Sequence, residues 1–318
     1  MSVRVLAPGA LTTVQDGGRR ASRALGVGCS GALDPHAAAI ANLLVGNAAD
    51  AAVLEITLAG PRLQFDTAAR IAICGAQVDA RADDIPIPGW RPIGVPAGTR
   101  LSIGACRDGA RAWLAIAGGF HVDPVLGSRS TDLRGGFGGV GGRALIAGDV
   151  LEVDAAGVDR LQVARWWVDP TPEFDRAGTA AVVRVLPGRD ATEPADALFA
   201  REWRVAADSN RQGLRLQGDA VHAADDAERI SEPVAPGTLQ LPPDGQPIVL
   251  LADAQTHGGY PRIGHAIRAD WARLAQLRPG DRLRFVPCSH DEAAQARREQ
   301  AQRLARIAIA IQARRGMS

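Results

Sequence analysis

The chain has 318 residues, a formal net charge of +1 and 46% apolar residues; this suffices for two packed domains and argues against an electrostatic nucleic-acid binder. All 36 basic residues are arginine, which excludes a Walker P-loop, a Schiff-base lysine and a biotin attached to this chain, since each needs a lysine amine. Apolar runs such as AAAIANLLVG fall short of the roughly 20 residues that span a bilayer, the four cysteines form no CxxC, and the start MSVRVLAPGALTTVQDGG carries no apolar signal core, so a cytoplasmic location is expected.

The first polar cluster is TTVQDGGRR. Asp16-Gly17-Gly18 suits a tight turn. Either Arg19 pairs with Asp16 structurally, or Gln15, Asp16 and Arg19 line a pocket for a carboxylate or carboxamide. GCSGALD follows, with Ser30 at the approach to a helix. A nucleophile elbow would need glycine two positions after the serine, where this chain has Ala32, so a helix-starting turn is the simpler reading of Ser30 to Pro35. The stretch DPHAAAIANLLVGN predicts a helix over 34–45, with Asp34 as N-cap, Pro35 in the first turn and Gly46 just past the end.

Strand signals dominate the rest. RLQFDTAARIAICGA, RLSIGACRDGARAWLAIAGG, RALIAGDVLEV, TAAVVRVLPG, GQPIVLLADAQ and DRLRFVP are short apolar or alternating runs bounded by Gly, Pro or Asp. PAGTRLSIG (96–104), IAGDVLEV (146–153) and RPGDRLRFV (278–286) share a turn that feeds a strand, and VLAPGALTTV is echoed by VRVLPGRDAT. These echoes predict two β-barrel domains, 1–170 and 180–290, joined by RWWVDPTPEFDRAG, with 291–318 as a charged C-terminal helix.

Several stretches carry candidate chemistry. GFGGVG (136–141) fits a dinucleotide pattern, but a strand follows it where a helix N-terminus is required. Beside it, Arg129, Ser130 and Thr131 of LGSRSTDLR either cradle an anion with backbone N–H groups or form an ordinary surface loop. The six histidines lack metal-ligand spacing, so no metal is expected. In DAQTHGGYPRIG the single tyrosine of the chain, Tyr260, follows two glycines and precedes a proline. The chain is expected to turn so that the Gln255 amide faces a cavity, with Tyr260 as one wall; an interface with another protein is the other reading of such an aromatic.

PGALTTVQDGGRR, GVGCSGALDPHAAAIANLLVGN, LEITLAGPRLQF, LGSRSTDLRGG and DGQPIVLLADAQTHGGYPRIG together resemble the biotin-dependent carboxyltransferase family that includes the C subunit of 5-oxoprolinase, also called allophanate hydrolase subunit 2. The resemblance implies a mainly β protein of two cyclophilin-like β-barrel domains with few helices. It implies the B and A subunits of 5-oxoprolinase as partners in the ATP-dependent conversion of 5-oxo-L-proline to L-glutamate, with ATP not necessarily on this chain. Alternatives are a carboxyltransferase acting on urea or a similar amide, with biotin on a separate carrier, and a regulatory binding partner. The expected catalytic residues are Asp16, Gln255 and Tyr260. The expected substrate-binding residues are Gln15, Arg19, Ser30, Asp34, Arg129, Ser130, Thr131, Asn210, Arg211, Thr256, His257, Gly258 and Gly259. Two departures stand out: the family's Ser-Asp-Arg-Met-Gly reads SNRQG here, which places Asn210 where a carboxylate is usual and Gln212 where methionine is, and His257 stands where the family has threonine. If the carboxylate is catalytic in the family, its loss implies weaker activity or a different substrate. Asparagine replaces it readily if the position only forms a turn.

Overall fold

A computed structural model describes residues 1–316 except 155, 171–179, 191, 194–195 and 224–229. Most of the expected connection 165–178 and the last two residues of the C-terminal segment lie outside the described residues. The chain forms two compact units. One comprises Met1–Arg19, Ser30–Pro172 and Arg303–Ser318; the other comprises Arg20–Cys29 and Glu173–Gln302.

The first unit is built on a ten-stranded, branched sheet. Its main path runs through Gln162–Val163, Ile93–Val95, Ala69–Ala82, Arg100–Ile116, Arg62–Phe65, Ser2–Ala7 and Val150–Glu152. Leu11–Gln15 pairs with Val53–Thr57, which in turn pairs with Arg100–Ile116. The β-barrel domain expected here is built on this branched ten-stranded sheet. Ala69–Ala82 and Arg100–Ile116 are far longer than their sequence runs suggest, because one antiparallel ladder, interrupted by bulges, joins them from Ile71 opposite Ile116 to Ala82 opposite Leu101. Bulges of this kind bend strands sharply. Leu54, Ile56, Leu63, Phe65, Ile71, Ile73, Leu101 and Leu114 form the centre of the apolar core.

Helix α1 (Pro35–Val45) packs on this sheet against its two long strands. Asp34 accepts the His36 and Ala37 N–H groups, and Gly46, at φ 91°, closes the far end by donating to Asn42 and Leu43. Nine of its eleven residues are buried, which suits an apolar helix in a core.

The second unit contains a closed seven-stranded barrel, in the order Ala181–Pro187, Arg262–Ala266, Thr238–Gln240, Ile248–Leu250, Gly213–Gln217, Glu202–Val205 and Arg282–Pro287. Six pairings are antiparallel; Ala181–Pro187 and Arg282–Pro287 run parallel and complete the ring. Val183, Val185, Trp203, Leu239, Val249, Leu283 and Phe285 fill it. Helix α2 (Trp271–Gln276) follows Asp270, whose buried carboxylate holds the Arg184 guanidinium at 2.6 and 3.0 Å and its backbone N–H at 2.7 Å. Helix α3 (His290–Gly316) is the expected charged C-terminal helix, with Asp291 and Glu292 in its first turn and Arg314 and Arg315 in its last.

The repeat read from the sequence has a physical basis. Gly98, Gly148 and Gly280 lie at φ 87°, 94° and 89°, a left-handed conformation that glycine adopts without strain. The three N–H groups donate to Phe65, Val5 and Val205, respectively, so each turn docks on a neighbouring strand. Among the described residues no helix is long and apolar enough to cross a membrane.

Candidate functional site

In the first unit the expected residues gather around Asp16, at the exit of strand Leu11–Gln15. Asp16 Oδ1 accepts the Ser128 and Ser130 hydroxyls, each at 2.6 Å, and the Gly18 N–H at 2.8 Å; Oδ2 accepts the Arg129 N–H at 2.6 Å. Burial alone would raise the pKa of this carboxyl, yet the two hydroxyls and two N–H groups together hold it below the usual carboxylate range. Such a carboxylate is a poor proton acceptor and a firm anchor. It fixes the backbone from 128 to 130, and Arg129 is left exposed.

The remaining members of this cluster are engaged internally. Gln15 is fully buried: its amide N–H groups donate to Thr13 Oγ1 and the Thr131 carbonyl, while its Oε1 accepts the Gly31 N–H at 2.9 Å. It therefore ties three segments together and does not pair with Asp16. Arg19 is buried, donates to the Ser130 and Val125 carbonyls and stacks 4.9 Å from the Phe137 ring. Thr131 donates to the Val14 carbonyl, and Asp34 is the helix cap already described. Ser30 differs. It is buried, sits at φ 50°, and its hydroxyl has no hydrogen-bond partner among the described residues.

The glycine-rich loop does not match a phosphate cradle. A β-carbon at Gly138 would strike the Ser130 carbonyl oxygen, one at Gly139 the Thr131 hydroxyl, and one at Gly142 the Gly136 backbone. Its glycines permit close packing on Ser130, Thr131 and the loop's own backbone, and no helix follows. With no lysine in the chain, these residues do not fit the triphosphate of ATP, and no step of ATP chemistry is assigned to them.

The second unit holds the other expected residues. Arg211 Nε and Nη2 meet Asp253 Oδ2 and Oδ1 at 2.8 and 2.9 Å, a bidentate pair with both side chains 3% exposed. Asn210 Oδ1 accepts the Gln212 N–H at 2.8 Å. That bond is an Asx turn, so the missing carboxylate of SNRQG leaves the local geometry intact. Gln255 turns inward and donates to Gln240 Oε1 at 3.2 Å. Thr256 is buried, with its hydroxyl 3.0 Å from His257 Nδ1. His257–Gly258 pairs with Glu232–Pro233 as a two-stranded ribbon. A β-carbon at Gly258 would lie 2.6 Å from Gln240 Nε2, the far end of a side chain. Tyr260 is 47% exposed and, with Gly258, Gly259, Arg189, Glu232 and Arg262, lines a hollow of about 220 Å³.

Residues 25–287 match the model of the family described as carboxyltransferase domain, subdomain A and B. The chain belongs to this family. It is 43% identical to the 5-oxoprolinase C subunit of Escherichia coli (strain K12), covering 94% of this chain and 95% of that protein. It is 36% identical to the 5-oxoprolinase C subunit of Haemophilus influenzae, covering 90% and 91%. Among solved structures, the K. lactis urea amidolyase superimposes with a TM-score of 0.88 at 31% identity, over 96% of this chain and 20% of that one. The five sequence motifs therefore pointed to the right family.

Sequence reasoning missed three residues that complete these clusters: Ser128, Gln240 and Asp253. Ser128 had a readable signal, since Ser128 and Ser130 stand two apart and can face one side of an extended segment. Asp253 and Gln240 had none, because their partners lie 42 and 15 residues away.

Proposed function

We propose that this chain is the C subunit of an ATP-dependent 5-oxoprolinase, acting with A and B subunits to convert 5-oxo-L-proline to L-glutamate in the cytoplasm. One observation carries the reading: the match to the 5-oxoprolinase C subunit of Escherichia coli runs through 94% of this chain and 95% of that protein. ATP chemistry belongs to another subunit in this proposal. The work of this chain is to bind and orient a small acid bearing an amide. Asp16 is a positioning residue that holds residues 128–130 within the first unit. In the second unit Tyr260, exposed beside its hollow, donates its hydroxyl to the amide oxygen, while Gln255 is held by Gln240.

The test is co-expression of the three subunits followed by measurement of glutamate released from 5-oxo-L-proline in the presence of ATP. Release is expected from the complete set and is lost when this chain is omitted. No release beside an active control enzyme overturns the proposal.

The superposition on K. lactis urea amidolyase supports a second reading, carboxyl transfer to urea or a similar amide. The lysine-free sequence then requires biotin to arrive on a separate carrier. Urea-dependent consumption of carboxybiotin on that carrier distinguishes it.

A further inference from the structure

Arg23 lies on the six-residue segment Arg20–Leu25, which belongs to the same compact unit as the closed barrel. Its partners are neutral: Nη2 donates to the Val234 carbonyl, and Nη1 lies 3.5 Å from Cys29 Sγ. Among the described residues no carboxylate pairs with it. Arg262 offers the contrast, since Glu232 and the Pro233 carbonyl already occupy its guanidinium. Both arginines line a cleft of about 410 Å³ together with Val234, Thr238, Thr256 and His257. Thr238 and Thr256 are each only 7% exposed.

Gln240 stands two residues beyond Thr238 on strand Thr238–Gln240 but outside the lining of the cleft, with its Nε2 beside Gly258. It is 1% exposed, its Oε1 accepts the Gln255 amide, and its Nε2 has no hydrogen-bond partner among the described residues. Buried donors are nearly always satisfied. In the cleft itself, a guanidinium without a carboxylate partner among the described residues, beside two buried threonines, suits a small anion with acceptor lone pairs. The volume is within the range of roughly 300–1,000 Å³ typical of small-molecule sites.

We propose that this cleft binds the carboxylate of a small acid, with Arg23 as its charge partner. Gln240 is a positioning residue that fixes the Gln255 amide. The inference rests on the 5-oxoprolinase reading for the identity of the acid, which would be 5-oxo-L-proline or L-glutamate, and it makes Arg23 a specificity residue outside the Asp16 cluster.

The experiment is calorimetric titration of the purified full-length chain with 5-oxo-L-proline, with acetate as a carboxylate-only probe and with N-methylacetamide as an amide-only probe. Acetate and 5-oxo-L-proline are expected to bind saturably, and N-methylacetamide is not. Arg23→Gln should weaken both acids at least tenfold, Arg23→Lys should restore part of the loss, and the exposed surface control Arg107→Gln should change neither. Unchanged affinity in a folded Arg23→Gln protein, or no saturable carboxylate binding by the wild type, overturns the inference. If Arg23→Gln fails to fold, phenylglyoxal labelling of the wild type decides: protection of Arg23 by 5-oxo-L-proline supports the site, and labelling unaffected by it overturns the site. Glutamate release by the complex is read separately. An active complex with Arg23-independent binding defeats only the cleft, whereas Arg23-dependent acetate binding in an inactive complex defeats only the 5-oxoprolinase reading.

Discussion

The Asp16 cluster in the first unit and the Arg23 cleft in the second are both polar and both partly buried, yet they are satisfied to different degrees. Asp16 accepts four donors, and Gln15 uses both ends of its amide. In the second unit, Arg23 has only neutral partners among the described residues, and Gln240, outside the lining of the cleft, keeps an unused donor. A buried polar group whose partners are all internal shapes the backbone around it. Of the residues expected to touch substrate, Gln15, Asp34 and Arg211 are of that kind. Arg129 and Tyr260 are exposed, and the Ser30 hydroxyl has no partner among the described residues.

This contrast can be tested by removing groups from each side. The largest effect is expected from Asp253→Ala, which takes the carboxylate away from buried Arg211 and should cost about 3–5 kcal/mol in urea unfolding; a loss under about 1 kcal/mol would show that the pair does not hold the loop. Asp16→Asn should cost about 2 kcal/mol, because an amide N–H₂ then faces donors that now meet a carboxylate. Its pH dependence gives a sharper check. The folded pKa of Asp16 is lowered, so its contribution is present above the unfolded value of about 3.9 and disappears as pH falls through the folded value. The gap between wild type and Asp16→Asn should therefore close in acid, and a gap that persists there would mean that ionisation is not its source. Gly258→Ala should cost about 1 kcal/mol, because the end of the Gln240 side chain can give way, and repositioning of Gln255 should show as an altered amide shift in NMR. The smallest effect is expected from Asn210→Asp, within about 0.5 kcal/mol, since either residue forms the Asx turn. A larger change in thermal unfolding would give that position a role beyond the turn.

Helix α1 was legible from its caps because each cap bond spans only two to four residues, and such bonds form wherever the local sequence allows them. The turn-to-strand repeat was legible for the same reason, as one glycine in a left-handed conformation suffices for each copy. The absence of lysine and the five ordered motifs likewise needed no coordinates. The partners of Asp16 and Arg23 were out of reach. Ser128 and Ser130 come from 112 and 114 residues along the chain and the Val234 carbonyl from 211. Those meetings depend on which strands pair and in what register, a choice made by burial across the whole sheet and not by any local preference. Capping and repeat thus set the elements and the ordered motifs the family, while tertiary pairing alone decided which polar residues found internal partners and which did not.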